Sequence, residues 1–375
     1  MTTLSLDGRA TCYHGGAFFD AIGDELDASA LHRSASIINA DVLDAWFDPA
    51  PGVMAALCQH LPWALRTSPP THADGLRRII ARTRDVPFDS ILTGAGSSAL
   101  IFLALHEWLD AESRVLILDP MYGEYAHVLE QVVGCRVTRL ELDRNDDYAI
   151  DLDALAEELQ RGYDLVVLVN PNSPTGQHVP AAALRTALDS APSRTRLWID
   201  ETYIDYIDAS ESLEQWAAAS SNAVVCKSMS KVYALSGARC AYLCGNSSLI
   251  DELRRLSPPW AVGLPAQIAA CEALRDEHYY RDRWRATHHL RATLANSLRQ
   301  LSWDVAPSCA NFLLCRVRDD GPTAAQLIAA CRERGLYLRD VSSMSARFDE
   351  RTLRIAVKDA ATNQRMVQIL RDVSA

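Results

Sequence analysis

No Cys-x-x-Cys pair occurs among the ten cysteines of this 375-residue chain, and Cys240 and Cys244 have no His or Cys neighbours at zinc-like spacing. The apolar stretches carrying Cys226, Cys240, Cys244 and Cys315 read instead as core strands with buried, reduced thiols. Neither a disulfide scaffold nor a metal site is expected. Positive charge is also in deficit, with a formal net charge of -11, which argues against a nucleic-acid partner. The opening residues Met1 to Asp7 have no basic region and no apolar core, so no signal peptide is expected. No uninterrupted apolar run approaches the length of a membrane span. These absences lead to the expectation of a soluble, cytoplasmic protein.

What is present is a large apolar fraction, 49% of residues, with 23% charged and no internal repeat or low-complexity tract. That composition supports a sizeable core and about two domains. Arg114 to Asp119, Asp164 to Asn170, Arg196 to Asp200 and Ala223 to Cys226 are short, almost continuously apolar runs separated by helical stretches. Such runs are strands buried on both faces, so the spacing predicts an α/β fold around a mainly parallel sheet. Several end in a polar residue or turn, where open α/β sheets bind ligands. After Pro258-Pro259-Trp260 the texture changes. A helical stretch over 265–300 is followed by strand-like 311–315, a helix near 324–334, strand-like 336–339 and 353–357, and a terminal helix. The expected division is an N-terminal arm over 1–45, a large domain over 46–260 and a smaller α+β domain over 261–375.

The chemistry centres on Lys231, in Ser228-Met229-Ser230-Lys231, with Ser236-Gly237 and Arg239 following. A lysine amine can form an imine with the aldehyde of pyridoxal 5'-phosphate, while hydroxyls and a guanidinium hold the phosphate. An exposed helical lysine is the competing reading of Lys231 alone. Gly96, Ser97 and Ser98 precede an apolar helix, where backbone amides and the positive dipole end would cradle a phosphate. A simple capping turn explains them equally well; the full Gly-x-Gly-x-x-Gly spacing of a dinucleotide site is absent. Asp200 ends an apolar strand, an unfavourable place for a carboxylate without a partner such as a protonated pyridine nitrogen; a turn-capping role is the alternative. Tyr203 would reach the ring's phenolic oxygen. Tyr122 would stack on the ring face or fill the core. Arg354, in an otherwise apolar strand, would pair with a substrate carboxylate or face water from an edge.

These segments resemble the class I/II aminotransferases of PLP fold type I, most closely the histidinol-phosphate aminotransferase group, from about Ile38 to the C-terminus. The landmarks are Asn39-Ala40, Asp119-Pro-Met-Tyr-Gly-Glu-Tyr125, Asn170-Pro-Asn-Ser-Pro-Thr-Gly176, Asp200-Glu-Thr-Tyr203, the Lys231 segment through Arg239, Ala310 to Leu314, and Leu353-Arg-Ile355. The resemblance implies Lys231 as Schiff-base lysine and proton shuttle, Asp200 on the pyridinium and Tyr203 on the phenolic oxygen. It implies Tyr122 on the ring face, and Ser228, Ser230 and Arg239 on the phosphate. Arg354 would hold the substrate carboxylate, and Arg339 falls near the position that holds a substrate phosphate, with a surface or ion-paired role as the alternative. Tyr13 and Asn39 are further substrate-side candidates. A homodimer with sites at the interface, acting on an amino acid and a 2-oxo acid, is implied. Two departures stand out. Ser173 occupies the place of an asparagine that donates to the phenolic oxygen, with Asn172 beside it as a substitute donor. Arg66-Thr-Ser-Pro-Pro70 lacks the tyrosine that reaches the partner's phosphate. A lyase on the same scaffold, such as a phosphothreonine-type decarboxylase, is the alternative activity, and a non-catalytic binding protein the alternative class.

Overall fold

The computed structural model describes residues 15–23 and 32–374. Tyr13 lies outside the described residues. In chain order the strands are β1 (Ile38–Asn39), β2 (Ile91–Gly94), β3 (Arg114–Asp119), β4 (Arg136–Glu141), β5 (Leu165–Val169), β6 (Arg196–Asp200), β7 (Ala223–Ser228), β8 (Ala241–Gly245), β9 (Asp304–Val305), β10 (Phe312–Arg316), β11 (Leu336–Tyr337), β12 (Arg339–Asp340) and β13 (Thr352–Ala356). Seven of them form one sheet in the order β2-β8-β7-β6-β5-β3-β4. From β7 to β4 every neighbouring pair is parallel; β8 alone runs antiparallel to both its neighbours. The runs read as two-sided strands are buried along their length, as helices on both faces of a parallel sheet require. Their shared direction delivers Asp119, Val169, Asp200 and Ser228 to one edge.

A second, antiparallel sheet has the order β12-β13-β10-β9. It is tied to the segment after β1 by backbone bonds from Ala356 N to Ala40 O and by Asn311 Nδ2 to Leu43 O. The helical stretch expected over 265–300 is two helices, Leu264–Arg275 and Glu277–Arg299. Asp276 separates them: its carboxylate accepts the Tyr279 N–H, an N-cap interaction that starts a new helix. The strand-like 336–339 run divides likewise. Leu336–Tyr337 pairs with β1, whereas Arg339–Asp340 pairs with β13. Among the described residues, no helix is long and apolar enough to cross a membrane.

Behind the edge carrying Asp200 lies a buried ion cluster. Lys227 Nζ is 3.0 Å from Asp205, 3.7 Å from Glu201 and 3.8 Å from Glu214, and Arg84 is 2.7 Å from Asp205. Burial, with Glu214 adding to it, raises the Glu201 carboxyl to about 7 despite Lys227. Burial also works against the Asp205 charge, but Arg84 and Lys227 hold that carboxyl at about 2. The cluster fixes the turn following Asp200, and Tyr206 in that turn donates to the Lys231 carbonyl at 3.0 Å. Lys227→Met leaves buried carboxylates short of a cation, so unfolding in urea should show a loss of about 3–5 kcal/mol; an unchanged midpoint would refute this role.

Candidate active site

The carboxyl edge of the large sheet, the segment after β1 and strand β13 enclose a cavity of about 310 Å³. Its lining includes Ser97, Ser98, Tyr122, Ser173, Asp200, Tyr203, Ser228, Ser230, Lys231, Arg239 and Arg354. Side chains from positions 97 to 354 therefore meet in one place. Gly96 sits just before the helix Ser97–Trp108 with φ +91, and no side chain caps that helix. The Arg239 guanidinium presses so closely on Gly96 that any Cβ there would collide with it. Uncapped amides at a helix start beside a guanidinium form an anion site. Ser228 Oγ accepts the Ser230 N–H, which begins the short turn bearing Lys231.

Asp200 forms the cavity floor and is buried. Tyr125 Oη donates to its Oδ2 at 2.8 Å, and Thr202 donates both N–H (2.9 Å) and Oγ1–H (2.6 Å) to Oδ1. Burial raises the Asp200 carboxyl above its ordinary range, while these donors counter that shift. Tyr122 donates to Glu124 Oε2 at 2.5 Å, and Ser98 donates to the same oxygen at 3.0 Å. Burial first, then Glu124, raises the Tyr122 phenol well above 10. The Tyr203 phenol is likewise raised by burial, with Arg354 opposing.

Lys231 Nζ lies 2.9 Å from Asp44 Oδ1. Burial lowers the Lys231 amine below its ordinary value; Asp44 opposes this, and Arg354 and Arg239 reinforce it. Arg354 is in β13, between β12 and β10, so the water-facing edge reading of its strand does not hold. Its Nη1 donates to Ser173 Oγ at 3.4 Å and its Nη2 to the Asp41 carbonyl at 3.3 Å, while its buried Nε has no partner among the described residues. An unspent buried guanidinium donor inside a cavity is where a carboxylate docks.

Four described sequence candidates lie off the lining: Gly96, already placed against Arg239, and Asn172, Asn39 and Arg339. Asn172 spends its amide on the Pro120 carbonyl and on Thr175, so its side chain holds the loop and is not a substitute for the missing asparagine. Asn39 accepts the Val42 N–H and shapes the segment that carries Asp41 to Asp44. Arg339 is half-buried, opposite Arg354 in the β12–β13 register. Conversely, Tyr125, Thr202, Glu124, Asp41 and Asp44 were not singled out from the sequence. A hydroxyl two residues after Asp200 is a local signal that could have indicated Thr202. Nothing local points to Asp44, whose partner is 187 positions away.

The donor set fits pyridoxal phosphate: an anion cradle, a buried carboxylate for a ring nitrogen, a largely buried amine and a guanidinium with one unspent N–H. With the seven-stranded sheet it defines a PLP fold type I enzyme. The family model described as aminotransferase class I and II matches residues 47–372, and the chain belongs to that family of PLP-dependent transferases. It is 30% identical over 277 residues to histidinol-phosphate aminotransferase 1 of Cupriavidus pinatubonensis, covering 73% of each chain. It is 29% identical to histidinol-phosphate aminotransferase 2 of Gluconobacter oxydans, covering 91% of this chain and 93% of that one. Among solved structures, the Sinorhizobium meliloti histidinol-phosphate aminotransferase in complex with pyridoxal-5'-phosphate superposes with a TM-score of 0.82 at 20% identity, covering 94% and 97%. The L-threonine-O-3-phosphate decarboxylase of Porphyromonas gingivalis gives 0.77 at 24%, covering 90% and 99%. That likeness shows the shared fold alone and carries no lyase activity to this chain.

Tyr125 also accepts the Trp198 indole N–H at 2.7 Å, so Tyr125→Phe removes a donor from Asp200 and leaves a buried N–H unpaired. Cofactor affinity should fall about tenfold, as read by fluorescence titration with pyridoxal phosphate. An unaltered dissociation constant would show that Asp200 does not need Tyr125.

Proposed function

We propose that this aminotransferase moves an amino group between an amino acid or amino-phosphate compound and a 2-oxo acid, in the manner of the histidinol-phosphate enzymes. The observation that carries this reading is the meeting of Lys231, Asp200 and Arg354 in one cavity. Pyridoxal phosphate supplies an aldehyde for amines and a ring that withdraws electrons from the substrate's Cα. Lys231 takes up the Cα proton on Nζ and returns it at the far side of the transfer. Asp200, held by donors from Tyr125 and Thr202, would face the ring nitrogen and favour its protonated form. Tyr203 faces the phenolic oxygen, and Tyr122, tethered by Glu124, packs against the ring. Gly96, Ser97, Ser98, Ser228, Ser230 and Arg239 take the phosphate. Arg354 would bind the substrate carboxylate and so orient the substrate's Cα toward Lys231.

Arg339 and Arg354 are direct cross-strand partners, which places their side chains on the same face of the sheet. Two neighbouring guanidiniums suit a donor with a carboxylate-binding end and a second, anionic group. The reading of an arm (1–45), a large domain (46–260) and a small domain (261–375) is supported by the seven-stranded and four-stranded sheets lying on either side of 260, Arg354 coming from the latter. A homodimer is supported by the helix Pro51–Arg66, which exposes Met54, Cys58, Leu61 and Leu65 at i, i+4, i+7 and i+11. Leu65 is 72% exposed, an unfavourable surface for a monomer to show to water. A cytoplasmic location accords with the buried thiols at Cys226, Cys240, Cys244, Cys315 and Cys331.

An amino-donor panel read by half-reaction spectra tests the activity: donors should discharge the cofactor band, and Lys231→Ala should abolish the band. If donors release carbon dioxide instead, transamination is refuted. Among donors, a preference for phosphorylated ones should fall about tenfold in Arg339→Ala; an unchanged preference removes Arg339 from the site. In light scattering the wild type should have the mass of two chains, and Leu61→Asp/Leu65→Asp that of one. A monomeric wild type would sink the dimer.

A further inference from the structure

Of the chain's 37 basic residues only three are lysines, Lys227, Lys231 and Lys358. Lys227 is enclosed in the ion cluster behind the site. The other two converge on Asp44: Lys231 Nζ lies 2.9 Å from its Oδ1, and Lys358 Nζ lies 3.5 Å from its carbonyl oxygen. The segment bearing Asp44 is pinned on both sides, since Ala356 N and Asn311 Nδ2 donate to the Ala40 and Leu43 carbonyls.

We infer that Asp44 is a positioning residue that receives the Lys231 amine whenever that amine is not joined to the cofactor, with Lys358 steadying Asp44 from the other side. The inference rests on the reading of Lys231 as the catalytic lysine. The charges facing Lys231 are Asp44, Arg354 and Arg239; those facing Lys358 are Asp44, Lys231 and Asp359; Asp44 meets both lysines and the Ser236 hydroxyl. Two guanidiniums and burial all disfavour an ammonium at Lys231. Asp44 opposes them, within hydrogen-bond distance of the amine. Burial works against the charge of Asp44 as well, yet Lys231, Ser236 and Lys358 together hold its carboxyl below the usual range. Burial takes Lys358 down to about 8, with Lys231 adding to the shift and Asp44 opposing it.

The consequence lies in proton handling. When Lys231 accepts a proton, the ammonium finds a counter-ion within hydrogen-bond distance and needs no rearrangement of the site. When the amine joins the cofactor, the Asp44 carboxylate keeps the Ser236 hydroxyl and the nearby charge of Lys358. Arginine could not serve at position 231, because its guanidinium does not give up its proton. The aspartate therefore sets how readily the lysine carries charge, and at which pH.

Three lysines make this measurable without an activity assay. Full-length protein labelled with [13Cε]lysine should give three side-chain signals, and the one shifted by pyridoxal phosphate is Lys231. In the cofactor-free protein, the Lys231 signal of Asp44→Asn should titrate about one pH unit below wild type, because the carboxylate favours the charged amine. Asp44→Glu should restore most of the difference. Lys358→Met should move the titration upward, since it removes a like charge. An unmoved Lys227 signal in the same spectra shows that the buried core is intact. If pyridoxal phosphate shifts Lys231 but Asp44→Asn leaves its titration unchanged, the role of Asp44 is refuted and the catalytic reading stands. If pyridoxal phosphate shifts a different lysine or none, both are overturned.

Discussion

A carboxylate at the buried end of a parallel strand is the constraint around which the site is built. Asp200 has left water, and burial raises its carboxyl above the ordinary carboxylate range. Three donated hydrogen bonds, from Tyr125 and twice from Thr202, oppose that. Each donor depends in turn on the fold. Tyr125 is held by the Trp198 indole of the same strand, and Thr202 lies in the turn fixed by the Glu201–Asp205–Lys227 cluster. The ion cluster behind the sheet and the cavity in front of it are thus parts of one arrangement. The six residues from Asp200 to Asp205 contribute to both.

The sheet was legible in the sequence because its strands are buried on both faces, so their apolar runs are continuous and end abruptly in polar residues. Arg114–Asp119, Leu165–Val169 and Arg196–Asp200 begin and end within a residue or so of what their composition indicates. The edge strand Arg136–Glu141 is harder to see, since half-exposed positions admit Arg, Thr and Glu. Where tertiary partners decide the structure, local pattern misleads. Asp276 divides an otherwise helical stretch, and Leu338 stands between strands of two different sheets. In the site, residues whose side chains are out of place by burial, such as Lys231, Asp200 and Arg354, were identifiable. Their supports were not, because a tyrosine next to a glutamate, or an aspartate in a loop, has no unusual composition. Asp44 and Glu124 acquire significance only from residues distant in the chain.

The division of labour between lysine and arginine follows from their proton chemistry. Arginine keeps its charge at any accessible pH and spreads it over a planar fork, which suits carboxylate and phosphate recognition. Lysine loses its proton when burial makes charge unfavourable, which suits transfer. Here guanidiniums stand at the carboxylate and phosphate ends of the cavity in the proposed reading, and the amines are confined to its interior and its backing. A chain that relied on surface lysines would present many competing amines to a reactive aldehyde. This one presents few.

Ser173 shows how a departure from the family pattern is absorbed. The shorter side chain cannot reach as an asparagine would, and Asn172 does not stand in, since its amide is bound to Pro120 and Thr175. Instead the serine hydroxyl accepts from Arg354 and interacts with Tyr203. It therefore couples the proposed carboxylate-binding group to the proposed phenolic-oxygen group, two functions that act on opposite partners of the reaction. A carboxylate drawing Arg354 toward itself would weaken the 3.4 Å contact and free the hydroxyl toward Tyr203. The smaller side chain loses a direct donor but gains a link that an amide with its own fixed partners would not provide.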